Sequence, residues 1–307
     1  MKNTKFYSKG KFLLTGEYVI IDGAFSLAVP LNFGQFLTVE EQEKNEISFE
    51  TYQNSELVYS NNFIYYENEY KVNNSISQNA SDKFILQIIN TLIAEKPSLF
   101  SKGLKFISDL NFDINWGLGS SSSLISNFSQ WSEIEKFELF KKLSNGSGYD
   151  VFAAQAETAI TYQLINDLPI VQEVELNNDI LENCFFVYLG KKQNSENEVK
   201  NYRKSAKISS TDIQNISNLT QRFIDLNSYD ELIEIIQNHE KIISSILNRP
   251  TIKEELFADF DGEIKSLGAW GGDFILAFSK NGNNFTKNYF HSKNLNTIFT
   301  WNQMVFC

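Results

Sequence analysis

The chain has 307 residues and a net charge of −11, with 42% hydrophobic residues, which is enough for two domains of ordinary size, each with its own core. That charge, without a clustered basic stretch, excludes a general nucleic-acid binder, because phosphate-backbone binding depends on counterion release by clustered cations. Two cysteines, Cys184 and Cys307, and two histidines, His239 and His291, are too few and too scattered for a zinc site, a disulfide framework or a Ser-His-Asp or Cys-His nucleophile, and they fit a reducing cytoplasm.

At the N-terminus the apolar run Phe12-Leu13-Leu14 is cut short by Thr15-Gly16-Glu17, so it forms no signal-peptide core, and no later run reaches the length of a membrane span. Aromatic and β-branched residues between Gly, Asn and Asp breaks predict strands over Lys11–Ile21, Phe25–Val29, Phe36–Glu40 and Glu46–Tyr52. Ser81–Ala94 has helical spacing, stopped by Pro97, and Leu104–Ile114 returns to strand character. A Gly/Ser loop over Trp116–Ser123 leads into apolar-periodic Leu124, Ile125 and Phe128, and Trp131–Leu143 and Val151–Ala159 read as helices ahead of a strand at Ile160–Leu164. Beyond about residue 170 the order changes to a strand at Cys184–Leu189, helices over Val199–Lys207, Asp212–Leu226 and Asp230–Leu247, and strands at Phe274–Phe278, Asn284–Tyr289 and Thr297–Trp301. The expectation is α+β in two domains, 1–168 and 169–307.

Four segments are able to carry chemistry. Gly117-Leu118-Gly119-Ser120-Ser121-Ser122-Ser123 lies between a strand and a helix, where glycines permit close backbone approach and a helix N-terminus presents unpaired N–H groups to an anion. It is either a phosphate cradle or a solvated linker; it lacks the Gly-Lys-Ser/Thr of a Walker loop and the third glycine of the dinucleotide fingerprint. Only three arginines occur, Arg203, Arg222 and Arg249, so an anion held earlier in the chain needs backbone amides, lysines and Mg²⁺. Gly10-Lys11 with Gly16-Glu17-Tyr18 places a lysine at the start of an apolar strand, either fixed in a cleft or exposed. Ser147-Gly148-Tyr149-Asp150 precedes a helix, and Asp150 suits both an N-cap and a proton acceptor. Lys265-Ser266-Leu267-Gly268-Ala269-Trp270-Gly271-Gly272-Asp273 joins two strands, as a hairpin turn or a ligand loop.

Taken in order, these four motifs resemble the motif set of the galactokinase, homoserine kinase, mevalonate kinase and phosphomevalonate kinase (GHMP) superfamily, over Lys11 to Asp273. The resemblance implies a two-domain fold, with an N-terminal ribosomal-protein-like βαβ domain, a C-terminal ferredoxin-like domain and the active site in the cleft between them. It implies ATP and Mg²⁺ as cofactors. Gly117, Leu118, Gly119, Ser120, Ser121 and Ser122 would wrap the ATP phosphates, with the Ser121 hydroxyl on Mg²⁺. Asp150 would act on the acceptor as base or orienter, with Lys11 close to it stabilising the developing alkoxide. Glu17, Gly268, Ala269, Gly271 and Gly272 would define the acceptor side, and Glu138, one residue off the spacing of the mevalonate kinase Mg²⁺ glutamate, is a second metal candidate.

Lys9, Asn115-Trp116 and Trp270 depart from the family's usual small residues or proline and mark a divergent branch, similar to a bacterial subgroup associated with the mevalonate route. Tyr18 after the glutamate resembles phosphomevalonate kinases more than mevalonate kinases or galactokinases, which favour histidine there. A phosphorylated acceptor would call on Lys9, Lys191, Lys192, Arg203 or Lys204, residues that equally suit a solvated face. The acceptor is therefore expected to be mevalonate or phosphomevalonate, with a sugar or homoserine-type acceptor, or a non-catalytic nucleotide sensor on the same fold, as alternatives. The partner is a small molecule, with no nucleic acid and no membrane; the oligomeric state is not legible.

Overall fold

A computed structural model of the chain describes residues 3–43, 46–66, 69–72, 79–191, 195–205 and 208–306. Lys192, Lys207 and Cys307 lie outside the described residues. Two compact units are interleaved in sequence: the chain up to Gly10 with Phe33–Ile114 and Gly119–Gln155 forms one, and Lys11–Asn32, Asn115–Leu118 and Ala156 onward form the other.

The first unit is built on β1 (Asn3–Thr15) and β2 (Ser26–Gln42), which run on between the units, and on β3 (Ile47–Gln53), β4 (Glu56–Tyr66), β5 (Glu69–Val72) and β6 (Gly103–Leu110). Strand order is β5-β4-β3-β6-β2, with β3 and β6 parallel and the other neighbours antiparallel. The two separate strands expected at Phe25–Val29 and Phe36–Glu40 are parts of the single long β2, while the strand expected to reach Ile21 ends at Thr15, where Gly16 turns the chain with φ 94°.

Helix α1 (Ala80–Glu95) begins with a reciprocal cap in which Asp82 N–H donates to Asn79 Oδ1 and Asn79 N–H donates to Asp82 Oδ2. Its Ile85, Ile88, Ile89 and Leu92 share one face and enter a core with Phe49, Phe63 and Phe106 of the sheet. The helix expected over Trp131–Leu143 is divided into α2 (Ser120–Ser132) and α3 (Lys136–Leu143), because Glu133 takes a left-handed conformation, φ 55°, and Glu135 caps α3 by accepting from Glu138 N–H. Only α4 (Tyr149–Ala153) forms where Val151–Ala159 was expected, starting at Gly148 with φ 86°.

In the second unit the first half of β2 pairs with β7 (Ala159–Ile165), which turns at Asn166-Asp167, both at positive φ, into β8 (Leu168–Val174). A separate antiparallel sheet holds β9 (Phe185–Tyr188), β10 (Glu263–Leu267), β11 (Phe274–Phe278) and β12 (Ile298–Thr300), in the order β10-β11-β9-β12. Around it are α5 (Asn178–Leu181), α6 (Ser195–Ser205), α7 (Ser210–Ile224), α8 (Tyr229–Leu247), α9 (Ile252–Leu256), α10 (Asn283–Ser292) and α11 (Trp301–Met304). The expected strand at Asn284–Tyr289 is instead helix α10. Thr286 and Phe290, four residues apart, are its buried positions, a helical rather than a strand period.

Candidate active site

In the first unit, Gly119 takes φ 93° and, having no side chain, starts α2 without a side-chain cap of its own. The serines that follow divide by role. Ser122 Oγ donates to Gly119 O at 2.9 Å, and Ser123 Oγ donates to Gln35 Oε1 at 2.6 Å, while Gln35 Nε2 donates to Ser108 Oγ at 2.6 Å. Asn127 Nδ2 donates to Gln35 O, completing a buried polar seam that fixes α2 on β2 and β6. Ser121, by contrast, is exposed and Ser120 is half-buried.

Asp150 lies half-buried in the first turn of α4, its carbonyl accepting from Ala154 N–H. Gly148 before it has no room for a side chain, since a methyl group there would stand 2.8 Å from the Phe137 ring. Lys9 N–H donates to Ala154 O at 2.8 Å, tying β1 to the end of α4. Glu138 is on the exposed face of α3.

In the second unit, Lys11 N–H donates to Leu118 O at 3.0 Å, so the strand that carries the lysine is joined to Gly117-Leu118. Tyr188 OH donates to Asn115 O, and Trp116 packs on Phe299 and edge-on to Phe274, with ring centroids 5.3 and 6.1 Å apart. Aromatic packing thus fixes the approach to Gly117-Leu118. Gly268 and Gly271 have φ of 76° and 84°, and Gly272 N–H donates back to Ala269 O, which makes this segment a tight turn between β10 and β11. Ala269 and Trp270 are buried in it; Trp270 Nε1–H donates to Pro250 O, and Trp270 N–H donates to the hydroxyl of Tyr18.

Glu17 points into the interior of this unit. It is 4% exposed, bonded to the ammonium of Lys265, and its other oxygen lies 3.2 Å from His239 Nε2. The same nitrogen lies 3.1 Å from the amide of Gly16, so the tautomer of His239 decides whether it donates to Glu17 or accepts from Gly16. Lys265 also donates to Ser266 O and lies 3.5 Å from Glu240, which accepts from Ser266 Oγ. Burial alone raises the Glu17 carboxyl, but Lys265 and then His239 outweigh it and hold the group at about 2. Cys184 is buried, and burial pushes its thiol up, the opposite of what a thiolate nucleophile needs.

No family model matches the sequence, and no curated protein matches it. Solved structures do match over nearly the whole chain. Methanococcus jannaschii mevalonate kinase is 16% identical, with 100% of this chain and 99% of that one covered at a TM-score of 0.69. Streptococcus pneumoniae phosphomevalonate kinase in complex with phosphomevalonate and AMPPNP is 16% identical, covering 98% and 100% at 0.68. Lactococcus lactis galactokinase complexed with galactose is 11% identical, covering 97% and 93% at 0.66. The chain has the fold of the GHMP kinases. The expected fold class is therefore observed, with two sheets in a mixed α/β arrangement.

On this GHMP fold the structure groups the candidate residues by unit. Lys11, Gly117, Leu118, Glu17 and the Gly268–Gly272 turn belong to one, and Gly119, Ser120, Ser121, Ser122, Glu138 and Asp150 to the other. Sequence reasoning named Lys265, His239 and Asp273 without their partners and missed Glu240. A signal for two of them is present in α8, where buried Leu232, Ile235, Ile236, Ile243 and Ile246 mark one face and His239-Glu240 fall on it. A charged or polar pair on a core-facing stripe points to a buried partner.

Proposed function

We propose that the protein is an ATP-dependent kinase of a small metabolite. The observation that carries this reading is the start of α2: an uncapped helix N-terminus entered through a left-handed glycine, with Ser122 and Ser123 hydroxyls bonded internally and Ser121 exposed. These residues fit a nucleotide phosphate chemically, since Gly119 supplies no side-chain cap and the first turn of α2 carries no acidic residue to repel it. For Mg²⁺, a hard cation that keeps several waters and takes further oxygens from phosphate and carboxylate, the Ser121 hydroxyl is one candidate oxygen donor. Glu138, exposed on α3, is the second candidate oxygen donor. When bound, Mg-ATP supplies the transferable phosphoryl group and its charge neutralisation.

Within this reading Asp150 accepts or orients the acceptor proton, and Lys11 stabilises the oxyanion that forms. Gly268, Ala269, Gly271 and Gly272 line the acceptor side. Glu17 serves that side through the turn it anchors, because its carboxylate is occupied by Lys265. The proposed acceptor is the hydroxyl of mevalonate or the phosphate of phosphomevalonate. Support comes from the Gly16-Glu17-Tyr18 turn and from solved kinases of both substrates among the structural neighbours, where galactokinase also stands.

The deciding experiment is ADP release from Mg-ATP with mevalonate, phosphomevalonate, homoserine and a panel of sugars. Release with one acceptor is the expected result and names it. Nucleotide binding without release across the panel would favour the non-catalytic sensor, and no nucleotide binding would remove the kinase reading altogether.

A further inference from the structure

We propose that Asp273 is a positioning residue for the nucleotide loop, fixing the backbone of Gly117 and Gly268 in one arrangement; this rests on the kinase reading above. Asp273 is 2% exposed and takes φ 52°, a left-handed conformation that aspartate tolerates better than most side chains. A methyl group added to Gly117 would stand 2.5 Å from Asp273 Cγ and 2.6 and 2.8 Å from its two carboxylate oxygens. One added to Gly268 would stand 3.2 Å from Asp273 Oδ2. The carboxylate therefore lies against both α-carbons. Both glycines also hold positive φ, 71° and 76°, so Gly117 demands glycine on two independent grounds and Gly268 through its backbone conformation.

The main chain of Asp273 is held from outside its own loop. Its N–H donates to Lys191 O at 2.7 Å, and its carbonyl accepts from Leu189 N–H at 2.8 Å. Gly117 leads directly to Leu118, whose carbonyl accepts from Lys11 N–H. One buried side chain thus connects the turn after β10, the first residue of the nucleotide loop and, through Leu118, the strand that carries Lys11. A carboxylate in contact with a bound nucleotide would repel its phosphates. Burial beside two glycine α-carbons places this one against the loop backbone instead.

The test uses the full-length protein and a fluorescent N-methylanthraniloyl ATP as probe. Asp273→Ala is expected to weaken nucleotide binding by about tenfold or more, as loss of loop geometry does, and Asp273→Asn, which keeps the shape, to stay within about threefold of wild type. Unchanged affinity in Asp273→Ala, or an Asn variant as weak as the Ala variant, would overturn the proposal. A ligand-free melting cycle provides a second measurement. Asp273→Ala should relieve part of the loss caused by Gly117→Ala, and strictly additive losses would overturn the contact. A wild-type protein that binds no nucleotide would overturn the kinase reading and this role with it, whereas normal binding in Asp273→Ala overturns this role alone.

Discussion

The ammonium of Lys265 on β10 is bonded to the carboxylate of Glu17, 248 positions earlier in the chain, and both are buried in the same unit. Taking both charges out of water is costly, and the pair holds because Glu240, Ser266 O and His239 surround it with further partners. Removing one member takes from the other its main counter-charge. Glu17→Gln and Lys265→Met are each expected to lower stability by about 3–5 kcal/mol at neutral pH, read by urea denaturation. A loss below about 1 kcal/mol in both, the range of an exposed pair, would show that the pair contributes nothing beyond surface electrostatics.

The same carboxylate predicts an acid transition. Glu17 titrates at about 2 in the folded chain against 4.5 ordinarily, so its contribution is fully present above 4.5 and is lost as pH falls from there towards 2. The contribution is on the order of 3 kcal/mol. Urea midpoints of the wild type should fall through that window more steeply than those of Glu17→Gln. Parallel curves would mean that another group governs the acid limb.

Tyr18 takes φ 65°, unusual for an aromatic residue, and in that conformation its hydroxyl accepts from Trp270 N–H at 2.8 Å. Tyr18→Phe keeps the ring and strands a buried donor, a cost of about 1–3 kcal/mol. Melting temperature should fall, and the acceptor KM should rise while nucleotide affinity holds, because the disturbed loop lies on the acceptor side of the proposed site. An unchanged acceptor KM would confine the bond to stability.

Much of this was legible in the sequence, and the failures have identifiable causes. Period and capping residues found α1, α7 and α8 to within a residue or two, since four to seven buried positions in each recur on one face. Asn284–Tyr289 read as a strand because its aromatic residues, Phe285 and Tyr289, outweighed spacing over so short a run. The glycine segments were found because positive φ restricts the residue to few choices, as at Gly119, Gly148 and Gly268. Lys265 and Glu17 were both visible as residues, but a pairing across 248 positions is set by tertiary packing and leaves no local pattern. The same holds for Asp273, whose carboxylate meets Gly117, more than 150 positions earlier, through tertiary packing alone.

Asp150 offers a direct test of chemistry, because its half-buried side chain is at the start of α4 and its carbonyl accepts from Ala154 N–H within the helix. Asp150→Asn preserves that backbone role and removes the proton acceptor. Transfer should fall by about 10²–10⁴-fold, the usual worth of a positioned acid–base group, while nucleotide affinity stays near wild type. Full activity would remove Asp150 from the mechanism.

Gly119 tests the nucleotide end without touching the acceptor end. At φ 93° any L side chain is strained, and a β-branched one most, so Gly119→Val must shift the entry to α2 and turn its first N–H groups away from their present direction. The buried seam of Ser123, Gln35 and Asn127 holds the rest of the helix, which keeps the damage local. Nucleotide affinity is therefore expected to drop by about tenfold or more, with far-UV circular dichroism unchanged. Unchanged affinity would mean that the amides at the start of α2 are not the phosphate donors, and the nucleotide would then have to be held elsewhere in the fold.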